Sequence, residues 1–175
     1  EATKHICVTD AVHAHDGKIL LQLLHAGRYG YHPFIVAPSK IKSPISPFTP
    51  WEMSQRRILK TIHHFANAAK LAQSAGYDGV EIMGSEGYLI NQFLITHTNQ
   101  RNDQWGGDFK NRMRFPVAIV NKIRETVGQN FIIVYRLSML DLVPEGSKID
   151  EILLLAEAME ANGATMINTG IGWHE

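Results

Sequence analysis

Only one cysteine, Cys7, occurs in the 175 residues of this chain. A single thiol closes no internal disulfide and cannot by itself build a thiolate metal or iron–sulfur site, which fits a reducing compartment. An excess of charge is lacking too. Lysine plus arginine number 17, aspartate plus glutamate 17, and no run of either sign is long, so neither nucleic acid nor an anionic membrane is an expected partner. No apolar run approaches the ~18 residues of a spanning helix. The opening EATKHICVTD lacks the charged start and apolar middle of a signal peptide. These absences lead to the expectation of a soluble, cytoplasmic protein. The familiar short motifs are missing as well: no GxGxxG after a strand, no P-loop, no GxSxG and no HExxH. Dinucleotide-fold, phosphate-loop, serine-hydrolase and zincin chemistry therefore have no local support. His63-His64 and His13/His15 have no convergent carboxylate or thiol pattern, so no metal site is expected.

What is present is a 45% hydrophobic chain, long enough for one sizeable core and read as a single domain. Its apolar pattern alternates between short runs and longer periodic stretches. Ala2 to His15 reads as a helix stopped by Gly17. KILLQLLH, Lys18 to His25, reads as a strand covered on both faces. The proline-rich PSKIKSPISPFTP predicts irregular chain. Thr49-Pro50-Trp51-Glu52 offers a cap and a first-turn proline, predicting a helix from there to Ala75, with Ile58, Ile62, Phe65, Ala69 and Leu71-Ala72 inward and Gly76 as its stop. Strand Asp78 to Met83, a short helix Tyr88 to Ile95, helix Asn111 to Val127, strand Phe131 to Leu137, helix Ile149 to Ala161 and strand Thr165 to Thr169 follow. Between the short helix and the next long one runs THTNQRNDQWGGDF, a polar loop of a length that suggests function. This order predicts parallel strands joined by helical crossovers. Two architectures satisfy it, an open doubly wound α/β sheet or part of a (β/α)8 barrel.

Four polar residues interrupt or follow the strands: Gln22, Arg136, Tyr88 and His174. Each has an ordinary structural explanation. Gln22 would be a satisfied core amide, Arg136 half of an ion pair with Glu81 or Asp141, Tyr88 a packing residue and His174 a solvent-facing loop residue. What they share is position, at or near the carboxyl ends of strands in one parallel sheet, where ligands bind. Gln and Arg can together recognise a planar ring bearing imide and carbonyl groups. Tyr with His supplies a proton donor and its partner, which suits reduction with protonation of a carbanion or enolate.

The stretches LLQLLHAGRYG, YDGVEIMGSEGYLINQFL, TNQRNDQWGGDFKNRMRF, IIVYRLSMLDLV and TMINTGIGWHE resemble the FMN barrel of the Old Yellow Enzyme superfamily, and within it the NADPH-dependent 2,4-dienoyl-CoA reductase branch. Met83 and Glu86 stand where most of the superfamily carries a histidine pair or His with Asn, and it is this departure that points to the branch. The resemblance implies a partial (β/α)8 barrel of about four strands, lacking the first two and last two strands and the iron–sulfur and FAD/NADPH domains. It implies FMN held at its pyrimidine end by Gln22 and Arg136, Tyr88 as proton donor with His174 as its partner, and acyl-CoA contacts from His97, Thr98, Asn99, Gln100 and Glu175. His97 replaces an arginine typical of that loop. The implied reaction is reduction of a conjugated dienoyl thioester, and half a barrel would expose edges through which the chain self-associates.

Overall fold

The computed structural model describes residues 2–175. Four strands form one sheet: β1 (Leu20–Leu23), β4 (Gly79–Gly84), β5 (Ile132–Leu140) and β6 (Met166–Ile171). Between β1 and β4 lies a two-residue parallel pair, β2 (Val36–Ala37) and β3 (Trp51–Glu52). The helices are α1 (Ala2–His13), α2 (Gln55–Ser74), the short α3 (Leu89–Leu94) and α4 (Phe109–Arg112), then α5 (Arg114–Val127) and α6 (Ile149–Ala161).

Strand order in the main sheet is β1-β4-β5-β6, and every pair is parallel. Each new strand is laid beside the last in one direction, without the reversal that gives a doubly wound sheet its switch point. That is the winding of a (β/α)8 barrel, and the fold is a four-stranded arc of one. It also puts the long helices on one face. Val80, Ile82, Ile133, Tyr135 and Leu137 point to that face and pack against Ile58, Ile62, Phe65 and Ala69 of α2, Phe115, Ile119 and Ile123 of α5, and Ile152, Leu155 and Met159 of α6, all buried in one cluster. Phe93 brings α3 into the same core through a ring contact with Phe115 at 4.3 Å.

Several local expectations are corrected. The helix expected from Thr49 begins only at Gln55, because Ser54 supplies the cap, its Oγ accepting from the Arg57 amide at 3.3 Å, while Trp51 and Glu52 are drawn into β3 beside Val36 and Ala37. Leu71, expected inward, is exposed; the buried stripe passes through Ala69 and Ala72. β1 is not covered on both faces: only Leu23 is buried, and Gln22 is exposed rather than a core amide. The carboxyl end of α2 is fastened by Thr9 of α1, whose hydroxyl donates to the Ala75 carbonyl at 2.8 Å. Asp78 opens β4 by accepting from the Ile19 amide, His13 and Lys18, each at 2.9 Å. Burial raises the Asp78 carboxyl, yet these three donors outweigh it and hold the group below the usual carboxylate range. Among the described residues no helix is long and apolar enough to cross a membrane.

Candidate active site

The face of the sheet away from the helices carries a polar row. Gln22 lies opposite Glu81, and Arg136 lies between Met83 and Asn168 in register, so these side chains share a face. Glu81 accepts from Gln22 Nε2 at 2.7 Å and from Asn168 Nδ2 at 2.6 Å, joining the two outer strands across the middle. Arg136 takes neither of the partners expected for it. Its Nη2 donates to Glu86 Oε1 at 2.5 Å and its Nε reaches both Glu86 oxygens at 3.1 and 3.2 Å. Glu81 is occupied by amides, and Asp141 by the Ser138 hydroxyl, Asn91, Trp173 and the Ser147 amide. Glu86 is reached because the turn after β4 swings it over the sheet, with φ of +51° at Glu86 and +78° at Gly87. Burial pushes the Glu86 carboxyl up, but hydrogen bonds from Arg136 and Ser85 and the guanidinium charge pull it below its ordinary value. The same pairing raises Arg136.

The turn Ser85–Tyr88 is locked from below. Asn91 Oδ1 accepts from the Gly87 amide at 2.9 Å and Gln92 Nε2 donates to the Gly87 carbonyl at 2.7 Å, so both backbone groups of that glycine are held by α3 side chains. Tyr88 follows as the cap residue of α3, in extended conformation and half-buried. Its ring stands edge-on to His174, with centroids 5.2 Å apart and planes at 66°. Tyr88 and His174, 86 positions apart in sequence, are thus brought together at the carboxyl ends of β4 and β6. His174 is exposed, but both neighbours are anchored: Trp173 Nε1 donates to Asp141 Oδ1 at 2.9 Å, and Glu175 accepts from the Ser43 hydroxyl at 3.0 Å and forms a buried ion pair with Arg28.

The residues expected to meet an acyl-CoA divide. His97 is half-buried and Gln100 exposed. Thr98 and Asn99 are buried and turned inward: the Thr98 hydroxyl donates to the Gln92 carbonyl at 2.8 Å, and Asn99 Nδ2 donates to the Phe93 and Trp105 carbonyls at 2.7 and 2.8 Å. Glu175 is likewise spent on Arg28 and Ser43. These three hold the site's frame, because a buried polar group surrenders its partner only at a cost. Sequence reading missed Arg28, Asn91, Gln92 and the role of Asp141. The available signal was a set of polar residues inside HAGRYG and YLINQF, stretches otherwise apolar enough to bury.

A model of the NADH:flavin oxidoreductase / NADH oxidase family matches residues 1–175. Among curated proteins, a metal reductase of Desulforamulus reducens is 42% identical over 172 residues, covering 96% of this chain and 26% of the relative. An NADH oxidase of Thermoanaerobacter brockii is 36% identical over 175 residues, covering 96% and 27%. Among solved structures, a 2-naphthoyl-CoA reductase bound to 2-naphthoyl-CoA superposes with a TM-score of 0.91 at 32% identity, covering 97% of this chain and 28% of that one. The chain thus spans about a quarter of the length of the first of these relatives.

Proposed function

Given that the chain belongs to the NADH:flavin oxidoreductase / NADH oxidase family, we propose that it carries the reducing centre of an FMN-dependent ene-reductase whose substrate is a conjugated acyl-CoA thioester, a 2,4-dienoyl-CoA. The observation that carries this reading is the edge-on contact of Tyr88 and His174 at 5.2 Å, at the end of the sheet where barrel enzymes bind ligands. The residues fit an FMN ring. Gln22 presents an exposed amide and Arg136 a guanidinium on one face of the sheet, and among the described residues no hydrogen bond uses Arg136 Nη1. Those two side chains would hold the pyrimidine end, with Arg136 offsetting negative charge there. When bound, FMN supplies hydride for a carbon–carbon double bond.

The chain's own part is the proton. Hydride addition at the distal end of the diene would leave a dienolate for the chain to protonate. The Tyr88 O–H breaks toward the dienolate carbon, a C–H bond forms, and the phenolate left behind is re-protonated through His174. An acyl-CoA is favoured over a small enone by Met83 and Glu86, which stand where the resemblance expects a histidine pair or His with Asn; with the Glu86 carboxylate held by Arg136, Tyr88 is the O–H donor left at the turn. Support also comes from the likeness to a reductase solved with a CoA thioester. His97 and Gln100 are the side chains of the 97–100 loop open enough to meet the CoA portion. Nothing in this reading calls for nucleic acid or a membrane. The test is Tyr88→Phe in the FMN-loaded enzyme: dienoyl-CoA reduction should fall by about 10²–10⁴-fold while reduction of the flavin by NADPH or NADH persists. Equal rates in both half-reactions would remove Tyr88 from the chemistry. Turnover of a simple enone with none of dienoyl-CoA would move the substrate to the other ene-reductases of the family.

A further inference from the structure

Tyr29 lies outside everything assigned so far. It closes the short 3-10 turn Gly27–Tyr29 after β1, with its amide donating to the Ala26 carbonyl at 3.2 Å. Its ring stands edge-on to Tyr88 at 5.9 Å and 81°, and to His174 at 6.0 Å and 68°. Because Tyr88 and His174 also meet at 5.2 Å, the three rings form a closed triangle. A fourth edge contact, to Trp173 at 6.4 Å and 84°, ties Tyr29 to the residue preceding His174. All four separations fall within the range of about 4.5–7 Å in which aromatic edges and faces attract.

Tyr29 is itself held rigidly. The neighbouring Arg28 amide donates to Gln92 Oε1 at 3.1 Å, and the Arg28 guanidinium pairs with Glu175 and reaches the Lys42 carbonyl at 3.3 Å. The Tyr29 hydroxyl abuts Gly87, where an added Cβ would collide with it and with the Trp173 ring. Its three ring contacts are what tie Tyr29 to the Tyr88–His174 pair.

We propose that Tyr29 is the positioning residue of the Tyr88–His174 pair, its ring filling the corner that sets the distance and angle between donor and partner. This rests on the reading of Tyr88 as proton donor, but it is tested apart from catalysis. In the isotope-labelled full chain, through-space NMR contacts between the Tyr88 and His174 rings are measured for wild type, Tyr29→Phe and Tyr29→Leu, with the remaining amide spectrum as the control for folding. The expected result is contact retained in Tyr29→Phe and lost in Tyr29→Leu, each with an otherwise native spectrum. In the FMN-loaded enzyme, kcat for the thioester should stay within about twofold for Tyr29→Phe and fall about tenfold to a hundredfold for Tyr29→Leu, with KM changing far less. Contact and kcat both surviving Tyr29→Leu would overturn the proposal. So would losses as large in Tyr29→Phe, which would make the hydroxyl the actor. If ring contact depends on Tyr29 while Tyr88→Phe leaves turnover intact, positioning stands and the proton-donor reading falls.

Discussion

Glu86 carries the cost of the site at the scale of one residue. A non-glycine at φ +51° is held there only by surrounding structure, and here three Arg136 hydrogen bonds do the holding. Because the folded carboxyl lies below its ordinary value, its contribution to stability is present in full above the unfolded pKa of about 4.3 and is lost as pH falls through the lower folded value. Glu86→Gln should therefore lower stability by about 1 kcal/mol at pH 7, a figure reduced for the part of the pair that solvent screens. The gap from wild type should close as pH drops below that window. Urea titrations across the acid range measure it, and a gap that stays constant with pH would show that the carboxylate charge contributes nothing.

At the scale of elements, the turn between β4 and α3 decides where Tyr88 stands, and much of it was readable. Gly84 and Gly87 bracket a strand end in the sequence, and the structure uses Gly87 at φ +78° with a side chain's space already taken by Tyr29 and Trp173. Gly87→Ala should cost more than about 1 kcal/mol, because it adds both backbone strain and a collision. It should also displace the Tyr88 ring, seen as loss of its contact with His174. A variant as stable as wild type would mean that the turn relaxes freely. What the sequence could not convey was the fastening of this turn by Asn91 and Gln92, since two adjacent amides in a short helix read equally well as solvent-facing. The late start of α2 was hidden for a related reason: Thr49 and Ser54 are both competent caps, and only the pairing of Trp51 and Glu52 with Val36 and Ala37 chooses between them. Likewise, Arg136 announced an ion pair by its position in an apolar strand, but its partner came from a turn residue, beyond the strand neighbours that local register suggests.

At the scale of the whole molecule, the sequential order β1-β4-β5-β6 leaves β1 and β6 as the outer strands of the arc. Ile167 and Ile171 of β6 are 39% and 65% exposed, and Ile149 and Leu153 of the adjoining α6 are 58% and 56% exposed. An edge strand with free backbone donors and acceptors beside exposed apolar side chains invites another chain. The polar row of Gln22, Glu81, Arg136 and Asn168 on the inner face works against indiscriminate collapse, because stripping water from those groups is costly. The 175-residue chain is therefore expected to self-associate through β6 and α6, with the polar face left to the flavin ring. In the proposed reading Gln22 and Arg136 would hold only the ring end of FMN, so binding by this chain alone should be weaker than micromolar. Light scattering during size-exclusion chromatography, repeated with Ile171→Lys and alongside a flavin titration, separates the two expectations. The substitution should shift the population toward monomer without altering flavin affinity, since Ile171 lies at the edge and away from the polar row. A wild-type monomer that binds FMN at micromolar affinity or better would show that neither a partner across β6 nor contacts beyond the ring are needed.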